Sequence, residues 1–322
     1  MDVAALLGVP EIAAEMGRVE DALRDSVATV DPFLTEVAGH LVSAGGKRIR
    51  PALTMAAALA AGSTVTDDVI MGGVAVELVH IGSLYHDDVM DEADSRRGVE
   101  SVNHRWGNLI AILAGDFLLA KASEIAASLG TDVAALLART IGRLCEGQVG
   151  ELQTAFNVNR SEEAYLASIS GKTASLTSAA CRIGGLVARR PAEETEALTE
   201  FGESFGMAFQ IRDDILDVVG DEQSLGKPAG QDLVEGTYSL PIIRALADPA
   251  VADDLKPLLG SPLNGAERDR ARDVVRSSRG VGEAMTVARE YAARAAESLE
   301  PLRHNPAAEG LMAATYRLLD QL

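Results

Sequence analysis

The sequence predicts an all-α protein, on three observations. Apolar residues make up 47% of the 322, much of that alanine, while aromatics are only 4%. Alanine loses no side-chain entropy in a helix, whereas strands select Val, Ile, Tyr and Phe. Apolar positions recur at helical spacing, and few runs show the alternation of a half-buried strand. The irregular stretches between periodic runs are short. By length alone the chain is one large domain or two ordinary ones.

Taken in order, residues 66–92 carry an apolar stripe through Val69, Val76, Val79 and Leu84. Residues 107–129 and 131–155 repeat the pattern, with Gly130 placed as a helix C-cap between them. Ser161, followed by Glu162 and Glu163, reads as a helix start. Pro191 opens another long run, 191–219, at a position where a first-turn proline is tolerated. Irregular segments are expected at Gly45–Gly46, Ser95–Gly98, Gly220–Gly236 and Asp248–Pro262. The third is glycine-rich and long for a simple connector, and such loops often carry function.

The net charge is −19, from 29 Lys and Arg against 48 Asp and Glu. That argues against nucleic acid as a partner. Two cysteines, Cys145 and Cys181, make no disulfide framework and read as small core residues of a reducing compartment. The N-terminal residues lack a basic start followed by a long apolar run, as a secretory signal would have. No uncharged apolar stretch reaches membrane-spanning length. A cytoplasmic protein without a stable membrane anchor is expected.

One longer-range echo carries chemistry. Residues 87–91 read Asp87-Asp88-Val89-Met90-Asp91, and residues 213–217 read Asp213-Asp214-Ile215-Leu216-Asp217. With about 3.6 residues per turn, Asp87 stacks with Asp91 and Asp213 with Asp217. Stacked carboxylates repel unless a cation lies between them. Hard oxygen donors suit magnesium, which is usually held by one or two carboxylates together with substrate phosphate oxygens. A solvated acidic face is the bland alternative for one such motif, but two copies inside apolar runs weigh against it.

Basic residues fall where a diphosphate site needs them. Gly45-Gly46-Lys47-Arg48-Ile49-Arg50-Pro51 sets cations beside a glycine pair, and Lys47 and Arg50 would share a face if a helix begins there. Arg96-Arg97-Gly98 follows the first motif, as phosphate ligands or as local charge balance. His80 lies two turns before Asp87 on the same face, whereas His86 reads as a packed residue. Lys172-Thr173 follows Gly171 near an expected helix start, a plausible anion site. Gln210 lies on the face of Asp213, and Lys227 lies in the glycine-rich loop.

Together the blocks GGKRIRP, ELVHIGSLYHDDVMDEADSRRG, AILAGDFLLA, GKTASL, FQIRDDILD and GKPAGQDL strongly resemble the trans-type polyprenyl synthetases, in family order from about Lys47 to Leu240. The resemblance implies a single all-helical domain over residues 1–322, built as a bundle around a deep central cavity, and a homodimer. It implies head-to-tail addition of isopentenyl diphosphate to an allylic diphosphate, with about three magnesium ions. Asp87, Asp91 and Asp213 would ligate metal. Asp88, Asp214, Asp217 and Asp232 would act through water or neighbouring groups. Lys47, Arg50, His80 and Arg97 would hold isopentenyl diphosphate. Arg96, Lys172, Gln210 and Lys227 would hold the allylic diphosphate, with Thr173 near the developing cation. Where the family often reads EGKxTLP, this chain has Thr237 in place of the lysine, so one cationic contact is expected to be missing.

Product length is read from the helix before the first motif. Gly82 and Ser83 lie one turn before Asp87, where the family's short-chain enzymes carry bulky aromatics, and are small here; Val79 lies two turns before. At about 5.4 Å per turn, that predicts a product of about C30–C50. The alternatives are a shorter product and a non-catalytic partner subunit. A terpene cyclase is disfavoured by the complete second motif and by GGKRIRP, and an HD-type phosphohydrolase by the lack of further histidines at ligand spacing.

Overall fold

A computed structural model describes residues 3–220 and 229–320. By contacts the chain divides into two compact units. One comprises Met1–Ile141, Leu176–Gly202 and Ser298–Ala314, and the other Gly142–Ser175, Glu203–Glu297 and Thr315–Leu322. Both are helical, as expected. Among the described residues the single sheet is a two-stranded hairpin.

The first unit contains α1 (Val3–Leu7), α2 (Glu11–Val27), α3 (Pro32–Ala38), α4 (His40–Ser43), α5 (Ile49–Ala60) and α6 (Asp67–Met90). The hairpin β1 (Ser95–Arg96) and β2 (Val99–Glu100), α7 (Val102–Trp106) and α8 (Asn108–Ser128) follow. The helix α6 is the unit's axis, packed on α8, α5 and α2. Thr66 starts it by accepting a hydrogen bond from the Val69 amide at 3.3 Å. It is apolar on nearly all sides, and 72% of its most apolar window is buried inside the protein, which is how a core helix satisfies such a composition. Its neighbour comes close because Gly115 of α8 has no side chain; a Cβ there would lie 2.3 Å from the His86 ring.

The second unit is reached through α9 (Thr131–Gln153). It contains α10 (Glu162–Ile169), a π-helical turn over Ser170–Ala174, and the carboxyl-terminal part of α12 (Ala192–Val219); α11 (Ser175–Val187) belongs mainly to the first unit. Then come α13 (Gln231–Glu235), α14 (Leu240–Leu246), α15 (Ala252–Leu255), α16 (Gly265–Ser277) and α17 (Gly280–Ser298). Its core joins Val218, Leu233, Tyr238, Ile242, Leu255 and Val275. The buried Tyr238 oxygen accepts from the Gly260 amide at 2.6 Å, and Arg160 donates to the Tyr238 carbonyl at 3.1 Å. Ser161 caps α10, and Asn264 with Glu267 forms a full capping box on α16.

Four expectations need correction. Cys145, read as a core residue, is exposed, whereas Cys181 is buried. Lys47 and Arg50 do not share a helical face, because α5 begins only at Ile49 and Lys47 lies in the loop before it. Lys172 and Thr173 are not at a helix N-terminus but inside the π-turn joining α10 to α11. The turn is tightly packed: a Cβ on Gly171 would come within 2.6 Å of the Arg143 carbonyl. The segment Gly220–Gly236, expected to be irregular, contains α13 in its described part.

Candidate active site

In the first unit the aspartate motif closes α6. Asp87 and Asp88 stand in the last turn and Asp91 is the residue just past it, its amide donating to the Asp87 carbonyl at 2.8 Å. No basic residue occupies that turn. Carboxylates at the negative end of a helix dipole are disfavoured, and a cation near that end offsets the cost. Asp88 is fully buried and paired with Arg96, whose Nε donates to Oδ1 at 2.7 Å. Its Oδ2 is buried without a hydrogen-bond partner. Burial pushes the Asp88 carboxyl above its ordinary range, and Arg96 opposes this. Arg96, expected on the allylic diphosphate, is thus engaged with Asp88.

The hairpin aims the next arginine. Arg97 and Gly98 are its two turn residues, at φ 54 and 78, the positive values a tight two-residue hairpin requires. The Arg97 guanidinium donates to the carbonyls of Leu41 and Gly45 and lies against Gly46. His80, half-buried, has its pKa held well below 6.5 by burial and then by the charges of Arg50 and Arg97, so the ring is neutral. Arg50 has its Nε buried without a partner. Burial disfavours its charge, Glu77 restores part of it, and Arg97 adds repulsion. Lys47 is exposed. Of the three positions read for product length, Val79 is fully buried and Gly82 packs against Gly115 and Leu118 of α8. Ser83 is half-buried, its hydroxyl donating to the His80 carbonyl at 2.9 Å.

The second unit carries the other motif at the carboxyl end of α12, with Asp217 in the last turn and Asp213 and Asp214 a turn earlier. Asp213 is partly exposed and accepts from Arg212 at 3.1 Å. Asp214 is buried between neutral donors: the Tyr165 hydroxyl donates to Oδ2 at 2.6 Å and Gln210 Nε2 to Oδ1 at 2.7 Å. Burial pushes its carboxyl up to about 7 against these donors. The Gln210 oxygen in turn accepts from the Thr173 hydroxyl at 2.8 Å. Asp217 accepts from the Asp232 amide at 3.1 Å through its side chain and from the Gly230 amide at 2.8 Å through its carbonyl, which fixes the start of α13. Lys172 Nζ donates to Glu151 at 2.6 Å. The Thr237 amide donates to the Asp232 carbonyl at 2.9 Å. Lys227 lies outside the described residues.

Sequence reading missed Tyr165, Glu151, Glu77 and Arg48. Tyr165 could have been found: it sits seven residues before Lys172, two turns back on an apolar helix. Glu77, an acid in the apolar middle of a core helix, was a signal in itself. Both motifs supply carboxylate oxygens, the donors divalent metal takes, near helix ends whose dipoles favour cations, while among the described residues no three acidic, histidine or cysteine side chains are grouped closely enough to hold an ion by themselves.

A family model for polyprenyl synthetase matches residues 31–276. The chain is 39% identical over 306 residues to the nonaprenyl diphosphate synthase of Mycobacterium tuberculosis, covering 94% of this chain and 91% of that protein. It is 41% identical over 241 residues to heptaprenyl diphosphate synthase component 2 of Geobacillus stearothermophilus, covering 74% of this chain and 75% of the other. Among solved structures, a polyprenyl synthase from Caulobacter crescentus complexed with calcium and isoprenyl diphosphate superposes with a TM-score of 0.91 at 34% identity, over 99% of this chain and 97% of that one.

Proposed function

The chain belongs to the polyprenyl synthetase family and is a prenyltransferase, and from that premise we propose a medium- or long-chain all-trans synthase whose product is about C30–C50. It adds isopentenyl diphosphate head-to-tail to an allylic diphosphate. The observation that carries the reading is the pair of aspartate motifs at the carboxyl ends of α6 and α12, each a carboxylate cluster that a cation would relieve.

Asp87, Asp91 and Asp213 would hold divalent metal, magnesium in our reading and about three ions in all. Bound metal supplies Lewis-acid stabilisation of the departing diphosphate. The residues of the chain do the rest. Lys47, Arg50 and Arg97 would neutralise the diphosphate of isopentenyl diphosphate, and His80, neutral, would offer it a hydrogen bond. Lys172 would hold the allylic diphosphate. Gln210 gives its NH₂ to Asp214, so its oxygen takes the Thr173 proton. The hydroxyl oxygen of Thr173 is then left with lone pairs for a developing allylic cation. The isopentenyl double bond attacks that cation, and the proton lost afterwards goes to the released diphosphate. Missing the lysine at Thr237, the site would bind the allylic substrate more weakly without losing activity.

The chain length rests on Ser83 and on the nonaprenyl and heptaprenyl relatives. Incubation with magnesium, labelled isopentenyl diphosphate and separate allylic primers tests it: a ladder ending beyond about C25 is expected, and one stopping at about C15–C20 overturns the length while keeping the reaction. Ser83→Phe should shorten the ladder. We further propose a cytoplasmic homodimer. Exposed Leu109, Ile112 and Leu113 on α8, and Val149 and Leu152 on α9, supply apolar surface for self-association. The relative named as a component of a synthase gives the contrary outcome: a chain active only with a second, different subunit.

A further inference from the structure

One arginine of the basic loop touches none of the groups assigned to substrate, yet its surroundings are the most constrained in that loop. Arg48 is 2% exposed and adopts φ 49, ψ 41, left-handed values that L-residues rarely take. Its Nε and Nη2 donate to the two oxygens of Glu20 at 2.7 and 3.1 Å. Nη1 donates to Glu77 at 3.2 Å and Nη2 to the Val42 carbonyl at 2.8 Å. This internal set occupies the planar fork, so a substrate phosphate finds no accessible face on it. Burial alone would lower the Arg48 pKa, but Glu20 and Glu77 outweigh it and the net direction is upward.

Glu77 does more than pair with Arg48. It is 1% exposed, sits one turn before His80 on α6, and its charge also favours the ionised forms of Arg50 and Arg97. Its Oε2 is buried without a hydrogen-bond partner. One buried carboxylate therefore balances several guanidinium groups that would otherwise repel one another. The pair also ties the loop to the helix: Arg48 turns inward immediately before α5 begins, leaving Lys47 on the surface and Arg50 half-buried beside it.

We propose that Arg48, clamped between Glu77 and Glu20, is a positioning residue that sets the basic loop against α6 and so shapes the isopentenyl diphosphate pocket of Lys47, Arg50, His80 and Arg97. It rests on the reading that this pocket takes that substrate. A buried ion pair of this kind contributes little net stability compared with apolar replacements, which makes geometry its more natural role.

Calorimetric titration of the purified protein with isopentenyl diphosphate alone, where no turnover occurs, measures the effect directly. Arg48→Lys keeps the charge and loses the fork. It should weaken isopentenyl diphosphate about tenfold, by analogy with the loss of groups that orient a ligating side chain. The KM for the allylic substrate should stay within about twofold, since that substrate is bound elsewhere. Glu77→Gln should act in the same direction. A purely structural role would lower the melting temperature and leave affinity intact, so a folded Arg48→Lys protein with wild-type affinity overturns the inference. Should that variant not fold, Glu20→Gln alters only the half-exposed partner: a smaller loss of affinity supports the positioning role, and no loss overturns it. Lys47→Gln is the control on the premise: wild-type affinity there overturns the pocket assignment itself, whatever Arg48 does.

Discussion

The two aspartate motifs have the same spelling and opposite surroundings. In the first, the middle carboxylate, Asp88, is buried against a cation, Arg96, at 2.7 Å. In the second, Asp214 is buried against the neutral hydroxyl of Tyr165 and the amide of Gln210. An ion pair keeps a buried carboxylate charged, whereas neutral donors only partly offset its desolvation. Burial raises both carboxyls, but Arg96 opposes it with a full charge at Asp88 whereas only neutral donors oppose it at Asp214, so the second is pushed further towards neutrality. Identical residues at identical spacing are thus given different jobs by the side chains around them.

Breaking the motifs outright gives the largest effect. Asp87→Asn should lower kcat/KM by about 10³-fold, at the upper end of what removal of one transition-state electrostatic group costs. Asp213→Asn should cost less, about 10²-fold. Incorporation of labelled isopentenyl diphosphate at several magnesium concentrations measures both, and equal small effects would remove the metal role from the comparison.

Next come the partners of the middle aspartates. Arg96→Met strands a fully buried charge and should destabilise the protein by about 3 kcal/mol. Tyr165→Phe removes only a neutral donor and should cost about 1–2 kcal/mol. Urea unfolding of the metal-free proteins ranks them. If Tyr165→Phe proved the more damaging, Asp214 would be ionised in the metal-free fold and the two motifs would not differ in charge state.

Much of this was legible in the sequence because it rests on periodicity. The long helices and the cap at Ser161 follow from local spacing. Partner choice did not follow. That Arg96 turns to Asp88, that Arg48 is buried while Lys47 is exposed, and that Asp217 holds the amide of Asp232 depend on loops folding back across many residues. The π-turn at Ser170–Ala174 was hidden for a different reason: GKT is the spelling of a helix start, and local spacing does not announce the close approach of Gly171 to Arg143. Gly82 read as a small tunnel residue, but its smallness also serves the packing of α6 on α8.

The smallest effect is the most discriminating, because it is a sign. Burial pushes the Asp214 carboxyl up to about 7 in the fold, against 3.8 for an ordinary aspartate. A group whose folded pKa is raised binds its proton more tightly when folded, so its contribution is fully present below the unfolded value and is lost as pH rises through the folded one. In metal-free protein, Asp214→Asn removes that loss. The melting temperature of the variant relative to wild type should therefore climb between about pH 4 and pH 7.5 and then level off. Burial raises Asp88 too, with Arg96 opposing it, so Asp88→Asn should climb in the same direction but by less. Thermal melts of both variants in chelator across that range separate the two cases. A flat difference for Asp214→Asn would mean that its neighbours stabilise the charged form after all, and the two motifs would then be electrostatically alike.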